Sequence, residues 1–158
     1  MKILVFSDSH GQTADMVRII GSDTDAKAII FLGDYINDIF SVQSLHPDQK
    51  YFAVAGNCDW ASRHPDEELI ELGGIKIFLT HGHRYGVKSG LAHLSAHAQK
   101  LGAVAAFFGH THIAYFEKQN GIILLNPGSV TEPRGHIGRS YAVVNIENGL
   151  LRADLRLI

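Results

Sequence analysis

Five short apolar segments of this chain each end in a polar break that contains glycine, and no other feature constrains the fold as strongly. The breaks are Asp8-Ser9-His10-Gly11, Gly33-Asp34-Tyr35-Ile36-Asn37-Asp38, Gly56-Asn57-Cys58-Asp59, Thr80-His81-Gly82-His83 and Gly109-His110-Thr111-His112. Glycine lets the backbone turn sharply and lets a ligand approach closely. Because α/β proteins build ligand sites at the carboxyl ends of their parallel strands, the pattern predicts that these Asp, Asn and His side chains meet at one sheet edge.

The apolar runs alternate with stripes typical of helices, and this alternation favours a parallel α/β sheet. We expect single strands at 2–7, 28–32, 51–55 and 104–108, helices at 12–21 and 89–101, and hairpins at 68–80, 113–125 and 141–157. So many strands need a second layer to cover them. The predicted fold is therefore α/β, a four-layer α/β/β/α sandwich of two mixed sheets with flanking helices, in one domain over residues 1–158.

Charge and cysteine content exclude several classes of protein. Lys and Arg total 14 against 16 Asp and Glu, a formal net charge of -2, so the chain lacks the basic excess of a protein that binds duplex nucleic acid. Cys58 is the single cysteine, which rules out an internal disulfide. No run approaches the ~18 apolar residues of a membrane span. We therefore expect a cytoplasmic protein with no membrane association.

The side chains of the breaks form a ligand set suited to divalent Mn, Fe, Zn, Co or Ni. The set comprises two carboxylates, one amide and four imidazoles: Asp8, Asp34, Asn57, His10, His81, His110 and His112. One Asp or Asn beside glycine is typical of an ordinary turn. Five breaks in order favour a metal centre.

The five breaks resemble the ordered motifs of the calcineurin-like metallophosphoesterase superfamily: D-x-H, G-D-x-x-N-D, G-N-x-D, a G-H motif with Thr80 in place of the glycine, and G-H-T-H. The resemblance is strongest to a branch of small prokaryotic phosphodiesterases that is related to a scaffold subunit of retromer. It runs to about residue 135 and includes Asn126-Pro127-Gly128-Ser129 and Pro133-Arg134-Gly135. It implies the metallophosphoesterase fold and hydrolysis of a small phosphodiester.

The resemblance also implies a site for two divalent metal ions. The first metal would be held by Asp8, His10 and His112, the second by Asn57, His81 and His110, and Asp34 would bridge both. Mn²⁺ is the first expectation, with Ni²⁺, Fe²⁺, Zn²⁺, Co²⁺ or Mg²⁺ as alternatives. Two such ions lower the pKa of a bridging water, and the resulting hydroxide attacks phosphorus in line.

Cys58 departs from the pattern of many relatives, which have a histidine after the motif asparagine. A thiol has an ordinary pKa of ~8.5 and cannot replace an imidazolium as a proton donor to the leaving group. We expect His83 or Asp59 to substitute in part, so the predicted catalytic residues are Asp34, Asn57, His81, His83 and Asp59. Arg134 is predicted to bind a substrate phosphate; the alternative is a solvated loop cation.

Several features have two interpretations. Asp38 either begins a helix as its N-cap or orients a metal ligand. Trp60 and Tyr35 could stack on a base or line an oligomer interface; the alternative is packing in the core or at its rim. His93 and His97 are predicted on a solvated helix face.

The function itself has two alternatives. One is a non-catalytic metal-binding scaffold of the same fold, and the other is a phosphomonoesterase. A homodimer through an exposed hairpin edge is also compatible with the sequence.

Overall fold

Ten strands and three helices form in a computed structural model that describes residues 1–158. The strands are β1 (Lys2–Phe6), β2 (Ala26–Phe31), β3 (Tyr51–Ala53), β4 (Glu67–Leu72), β5 (Ile75–Thr80), β6 (Ala105–Phe107), β7 (Ala114–Gln119), β8 (Ile122–Pro127), β9 (Ser140–Glu147) and β10 (Leu150–Leu157). The helices are α1 (Ala14–Ser22), α2 (Asp38–Leu45) and α3 (Ala92–Lys100), and His83–Tyr85 form a short 3-10 turn.

The strands form two mixed sheets of five strands each. The first has the order β10-β9-β1-β2-β3, in which β1, β2 and β3 are parallel and β9 and β10 are antiparallel to their neighbours. The second has the order β4-β5-β6-β8-β7, in which β5, β6 and β8 are parallel and the two edge strands are antiparallel. The predicted hairpins form β4–β5, β7–β8 and β9–β10.

Side chains that alternate along the central strands define the layers. In β1, Ile3 and Val5 point into the core between the two sheets, whereas Leu4 and Phe6 point to the opposite face. That opposite face packs against Met16 of α1 and its neighbours in a second core. A third core lies between the second sheet and α3. The molecule is the predicted four-layer α/β/β/α sandwich.

Helix α2 is the main element that the apolar pattern did not predict in full. Its buried side chains are Ile39 and Val42, too few to give a clear helical stripe over eight residues. The predicted strand at 51–55 is also shorter, because β3 ends at Ala53. No helix is long and apolar enough to cross a membrane.

The topology sets four of the five breaks around a common point. β1 and β2 are parallel neighbours in the first sheet, and β5 and β6 are parallel neighbours in the second. The two sheets are joined at this point by Nδ1 of His81, which lies 2.6 Å from the carbonyl oxygen of Leu32. The carboxyl ends of strands from both sheets therefore face one another.

Candidate metal centre

Six of the seven predicted ligands come together in two groups. Asp8, His10, Asp34 and His112 form one group, and Asp34, His81 and His110 form the other. Within each group the possible ligand atoms all lie within 4.8 Å of one another. Asp34 belongs to both groups, which is the arrangement that the sequence predicted for a shared ligand. We call these six residues the His–Asp cluster.

The backbone of the cluster is strained in a way that the sequence did not reveal. Nine non-glycine residues have a positive φ, and five of these are in the His–Asp cluster: Asp8 (56°), His10 (44°), Asp34 (58°), His110 (66°) and His112 (59°). The left-handed region is uncommon for residues with a side chain and costs ~1–3 kcal/mol each. Such strain persists where surrounding contacts enforce it, and it concentrates at functional sites.

Two histidines have their tautomer fixed by backbone carbonyls. Nδ1 of His81 lies 2.6 Å from the carbonyl oxygen of Leu32, and Nδ1 of His112 lies 2.6 Å from that of Glu132. A carbonyl oxygen only accepts, so each Nδ1 has the proton and donates it. The lone pair is therefore on Nε2, which faces the cluster. This is the usual arrangement of an imidazole that binds a metal.

The two carboxylate oxygens of Asp8 have different environments. Oδ2 accepts hydrogen bonds from Oγ of Ser7 (2.6 Å) and the N–H of His110 (3.2 Å). Oδ1 is buried without a hydrogen bond and lies 3.1 Å from Nε2 of His112. Nε2 of His81 is likewise buried without a hydrogen bond and lies 3.4 Å from Oδ1 of Asp34. An unpartnered buried polar atom is costly unless something else binds it. These two atoms and the oxygen–nitrogen donor set fit a divalent cation.

Charges within the cluster shift the pKa of its members. Burial acts to raise the pKa of Asp34, but the neighbouring His81 and the N–H of Cys58 outweigh it and hold the pKa well below its usual range. Burial, together with the neighbouring His81 and Lys88, lowers the pKa of His110 to about 4. At neutral pH Asp34 is thus an anion and His110 a neutral base, the forms that bind metals.

Asp59 has a role that the sequence did not predict. Its Oδ2 accepts from the N–H groups of Gly56 (2.7 Å) and Asp34 (3.0 Å), and its Oδ1 accepts from the N–H of Ile36 (2.8 Å). A carboxylate that accepts three backbone N–H groups holds two loops together, and these bonds occupy both of its oxygens. The structure therefore favours a positioning role for Asp59 over the predicted role as a proton donor.

Asp38 also positions the cluster, and its prediction as an N-cap is wrong. The helix begins at Asp38, its N-cap position is Asn37, and no side chain caps it. Instead Oδ2 of Asp38 accepts from Oγ of Ser9 (2.6 Å) and the N–H of Gly11 (2.9 Å). These bonds fix the loop on either side of His10, which agrees with the other interpretation that the sequence offered.

The Asn126–Ser129 segment braces the cluster from behind. The side-chain amide of Asn126 donates to the carbonyl of Gly109 (2.8 Å) and to Oγ1 of Thr111 (3.0 Å). Oγ of Ser129 donates to the carbonyl of Asp8 (2.8 Å), 121 residues away in the chain. The segment matched a family motif, but its contacts with the loops that bear Asp8 and His110 were not predicted.

Two glycines permit the close approach of these loops. A Cβ at Gly56 would overlap Oδ1 of Asp34, and a Cβ at Gly109 would overlap Oγ of Ser7. Any side chain at either position would displace a group that forms or supports the cluster. The glycines of the third and fifth breaks are therefore needed for close packing.

The remaining predicted site residues lie around the cluster. Asn57 is exposed, and its side-chain amide donates to Sγ of Cys58 (3.4 Å); its role as a ligand stays a prediction. The His83 ring lies 5.5 Å from that of His81 and has a buried Nδ1 without a partner. Arg134 donates its backbone N–H to the carbonyl of His112 (3.0 Å), and its side chain is exposed.

Three of the ambiguous aromatic and histidine positions now have a defined environment. The Tyr35 ring lies 5.2 Å from that of His10 and is 47% exposed, whereas Trp60 is 89% exposed. The His97 ring packs against Phe78 (5.2 Å) and Tyr85. The prediction that His97 is on a solvated face is therefore wrong, because this side of α3 lies against the second sheet.

A comparison with models of protein families shows which family the chain belongs to. Residues 1–149 match the calcineurin-like phosphoesterase superfamily domain. The chain belongs to this family. The match includes all six residues of the His–Asp cluster, whose Asp and His groups could bind metal.

Individual family members are similar over most of the chain. The probable metallophosphoesterase YsnB of Bacillus subtilis (strain 168) is 37% identical over 150 residues, which cover 94% of this chain and 86% of that protein. Phosphodiesterase YfcE of Escherichia coli (strain K12) is 28% identical over 171 residues, with 92% and 88% covered.

A solved structure confirms the fold. A predicted phosphoesterase from Streptococcus pneumoniae TIGR4 superposes with a TM-score of 0.80 and 27% identity over 98% of this chain and 97% of that one. The chain is thus a phosphoesterase by family, with Asp and His groups that could bind metal.

Proposed function

We propose that this protein is a phosphodiesterase that uses two divalent metal ions. Asp8, His10 and His112 would hold one ion, Asn57, His81 and His110 would hold the other, and Asp34 would be shared between them. The observation that supports this most directly is the pair of ligand groups that share Asp34, with Oδ1 of Asp8 and Nε2 of His81 buried without hydrogen bonds. A shared anion offsets the repulsion between two ions that are ~3.5–4 Å apart.

The chemistry divides between the ions and the protein. When bound, two such ions supply a hydroxide nucleophile near neutral pH and neutralise charge on the phosphoryl group. The protein fixes the ligands: the Leu32 and Glu132 carbonyls orient His81 and His112, and Asp59 holds the Asp34 loop. These residues keep the ligand geometry fixed before substrate arrives, so little reorganisation is needed during reaction.

The leaving group receives less help than in relatives with a histidine at position 58. Desolvation of the thiol and the negative charge of Asp34 raise the pKa of Cys58 to about 11, so it stays a neutral thiol. It is neither a nucleophile nor an effective acid. His83 is the nearest remaining imidazole, with a free Nδ1. We therefore propose a preference for diesters with acidic leaving groups, in which His83 donates a hydrogen bond and Arg134 contacts a phosphate oxygen.

Mn²⁺ is the proposed ion, because the resemblance to the small prokaryotic phosphodiesterases implies it. Zn²⁺, Co²⁺, Ni²⁺, Fe²⁺ and Mg²⁺ are the alternatives. A cytoplasmic location and a homodimer stay predictions.

Hydrolysis by metal-stripped protein with and without added Mn²⁺ tests the proposal. The substrates are bis(4-nitrophenyl) phosphate and the matching monoester 4-nitrophenyl phosphate. Asp34→Asn and His110→Ala remove one ligand each, and His93→Ala is the control, since His93 is an exposed histidine on α3. We expect diester turnover that requires metal, is lost in both ligand variants and persists in the control.

Two other results would contradict the proposed phosphodiesterase activity. Faster turnover of the monoester would replace the proposed substrate class with phosphomonoesters and leave the metal site intact. No turnover although metal is bound would favour the scaffold alternative, in which the same residues bind metal without catalysis.

A further inference from the structure

A cavity of about 580 Å³ lies beside the His–Asp cluster. Half of its ten lining residues are hydrophobic, among them Leu91, Phe108, Ile113 and Tyr115. The Phe108 and Tyr115 rings lie with their centroids 6.4 Å apart. Cavities of ~300–1,000 Å³ with mostly apolar walls are typical of sites for small organic ligands.

The cavity and the cluster share one loop. Thr111 lines the cavity and stands between His110 and His112 in the chain. Arg134 also lines the cavity, and its backbone N–H donates to the carbonyl of His112 (3.0 Å). The cavity therefore adjoins the loop that bears two of the candidate metal ligands.

Two cations complete the lining of the cavity, Lys88 and Arg134. The Lys and Arg side chains that form ion pairs are Lys2, Arg18, Arg84 and Arg139. Lys88 and Arg134 are not among them, so neither cation of the cavity is neutralised by a carboxylate. Both line the same cavity as Thr111, which stands between His110 and His112 in the chain. A cavity with apolar walls and two free cations suits an apolar group with its own negative charge.

We propose that this cavity binds the organic group that the enzyme retains on the phosphate, and that this group is apolar and carries a negative charge. The negative charge is a second phosphate or a carboxylate that contacts Lys88. This inference rests on the proposed function, since it names the substrate class of the same site. A nucleoside that carries a further phosphate has both properties and serves as the probe.

Three diesters with the same leaving group test the proposal. They are methyl 4-nitrophenyl phosphate, thymidine 5′-(4-nitrophenyl phosphate) and its 3′-phosphorylated form, all followed by release of 4-nitrophenolate with Mn²⁺ present. We expect kcat/KM to rise about tenfold when thymidine replaces methyl, and about tenfold again with the 3′-phosphate, each equal to ~1.4 kcal/mol.

Two pairs of variants test whether the two increases in kcat/KM arise from contacts in the cavity. Lys88→Gln should remove most of the gain from the 3′-phosphate, whereas Lys100→Gln, the same change at an exposed lysine outside the cavity, should not. Ile113→Ser should reduce the gain from thymidine. Its control is Ile137→Ser, because Ile113 and Ile137 are both 46% exposed and Ile137 does not line the cavity. All four positions are exposed, so the variants should fold.

The outcomes separate this inference from the proposed function. Equal kcat/KM for the three diesters, or equal effects of Lys88→Gln and Lys100→Gln, would overturn the cavity assignment while hydrolysis itself still stands. If no diester is hydrolysed, calorimetric titration with thymidine 3′,5′-bisphosphate decides the cavity separately. Tighter binding than thymidine 5′-phosphate, with the difference lost in Lys88→Gln, would support it; equal binding would overturn it.

Discussion

Asp59→Asn tests whether a carboxylate outside the His–Asp cluster determines the geometry within it. Asp59 accepts three backbone N–H groups, from Gly56 (2.7 Å), Ile36 (2.8 Å) and Asp34 (3.0 Å). Asparagine keeps the shape of the side chain but replaces one oxygen by an NH₂ group. That group cannot accept, so at least one backbone N–H loses its partner and the other bonds lose their charge assistance.

The expected loss follows from these contacts. A hydrogen bond to a charged group contributes ~1.5–3 kcal/mol, and an unsatisfied donor costs ~1–3 kcal/mol. Because one or two neutral bonds survive and Asp59 is partly solvated, we expect a loss of about 2–4 kcal/mol in the free energy of unfolding. For a chain of this length, that corresponds to a fall in Tm of roughly 5–15 °C. A native stability of ~5–15 kcal/mol leaves the variant folded.

The same substitution should weaken metal binding. Asp34 depends on this loop through its own N–H and through the N–H of Cys58, which donates to Oδ1 of Asp34 (2.9 Å). Loss of a group that orients a metal ligand commonly reduces metal affinity ~10–100-fold. Urea unfolding of the metal-free protein measures the first effect, and calorimetric titration with Mn²⁺ measures the second.

Asp66→Asn is the control, since Asp66 makes only an exposed ion pair with Arg84 (2.7 Å) and such pairs contribute ~0–1 kcal/mol. A loss in Asp59→Asn no larger than in the control, with unchanged Mn²⁺ affinity, would refute the positioning role. If that variant instead lost only turnover of diesters with poor leaving groups, Asp59 would be the proton donor that the sequence suggested.

Three further predictions concern the cluster itself. Mn²⁺ at 100 times its Kd should stabilise the protein by ~2.7 kcal/mol for each bound ion in thermal unfolding, and Asp34→Asn should abolish this effect. An equal shift in the variant would remove Asp34 from the site. Between pH ~6.5 and 4, His110 is protonated in the unfolded chain but stays neutral in the native state. The metal-free protein should therefore lose stability on acidification relative to His110→Gln, and parallel urea-unfolding curves would contradict this. Cys58→His should raise turnover of methyl phenyl phosphate relative to methyl 4-nitrophenyl phosphate by ~10²-fold or more if it restores an acid; an unchanged ratio would show that position 58 does not contact the leaving group.

The ligand types and the order of the layers could be read from the sequence. Each apolar strand ends where glycine appears beside Asp or His, and this local pattern is enough to indicate which side chains reach the sheet edge. Two of the hairpins could also be predicted from local sequence, because Asn120-Gly121 and Asn148-Gly149 both adopt the positive φ that tight turns require.

Only the tertiary structure determines how the ligands are held. Ser129 binds the carbonyl of Asp8 across 121 residues of chain, and Asp59 binds the N–H of Asp34 across 25. No local pattern encodes such a bond, because its partners are neighbours only after both sheets have formed. The same is true of the left-handed φ at His110, which surrounding packing enforces against an intrinsic preference.

The sequence by itself thus determined the chemistry of the donor atoms, since residue types and strand ends are local properties. The folded structure decided which oxygen of Asp8 is free, which nitrogen of His81 faces the cluster, and which carboxylates bind backbone rather than metal. These are choices between atoms of one side chain, and they depend on hydrogen bonds from segments distant in the chain.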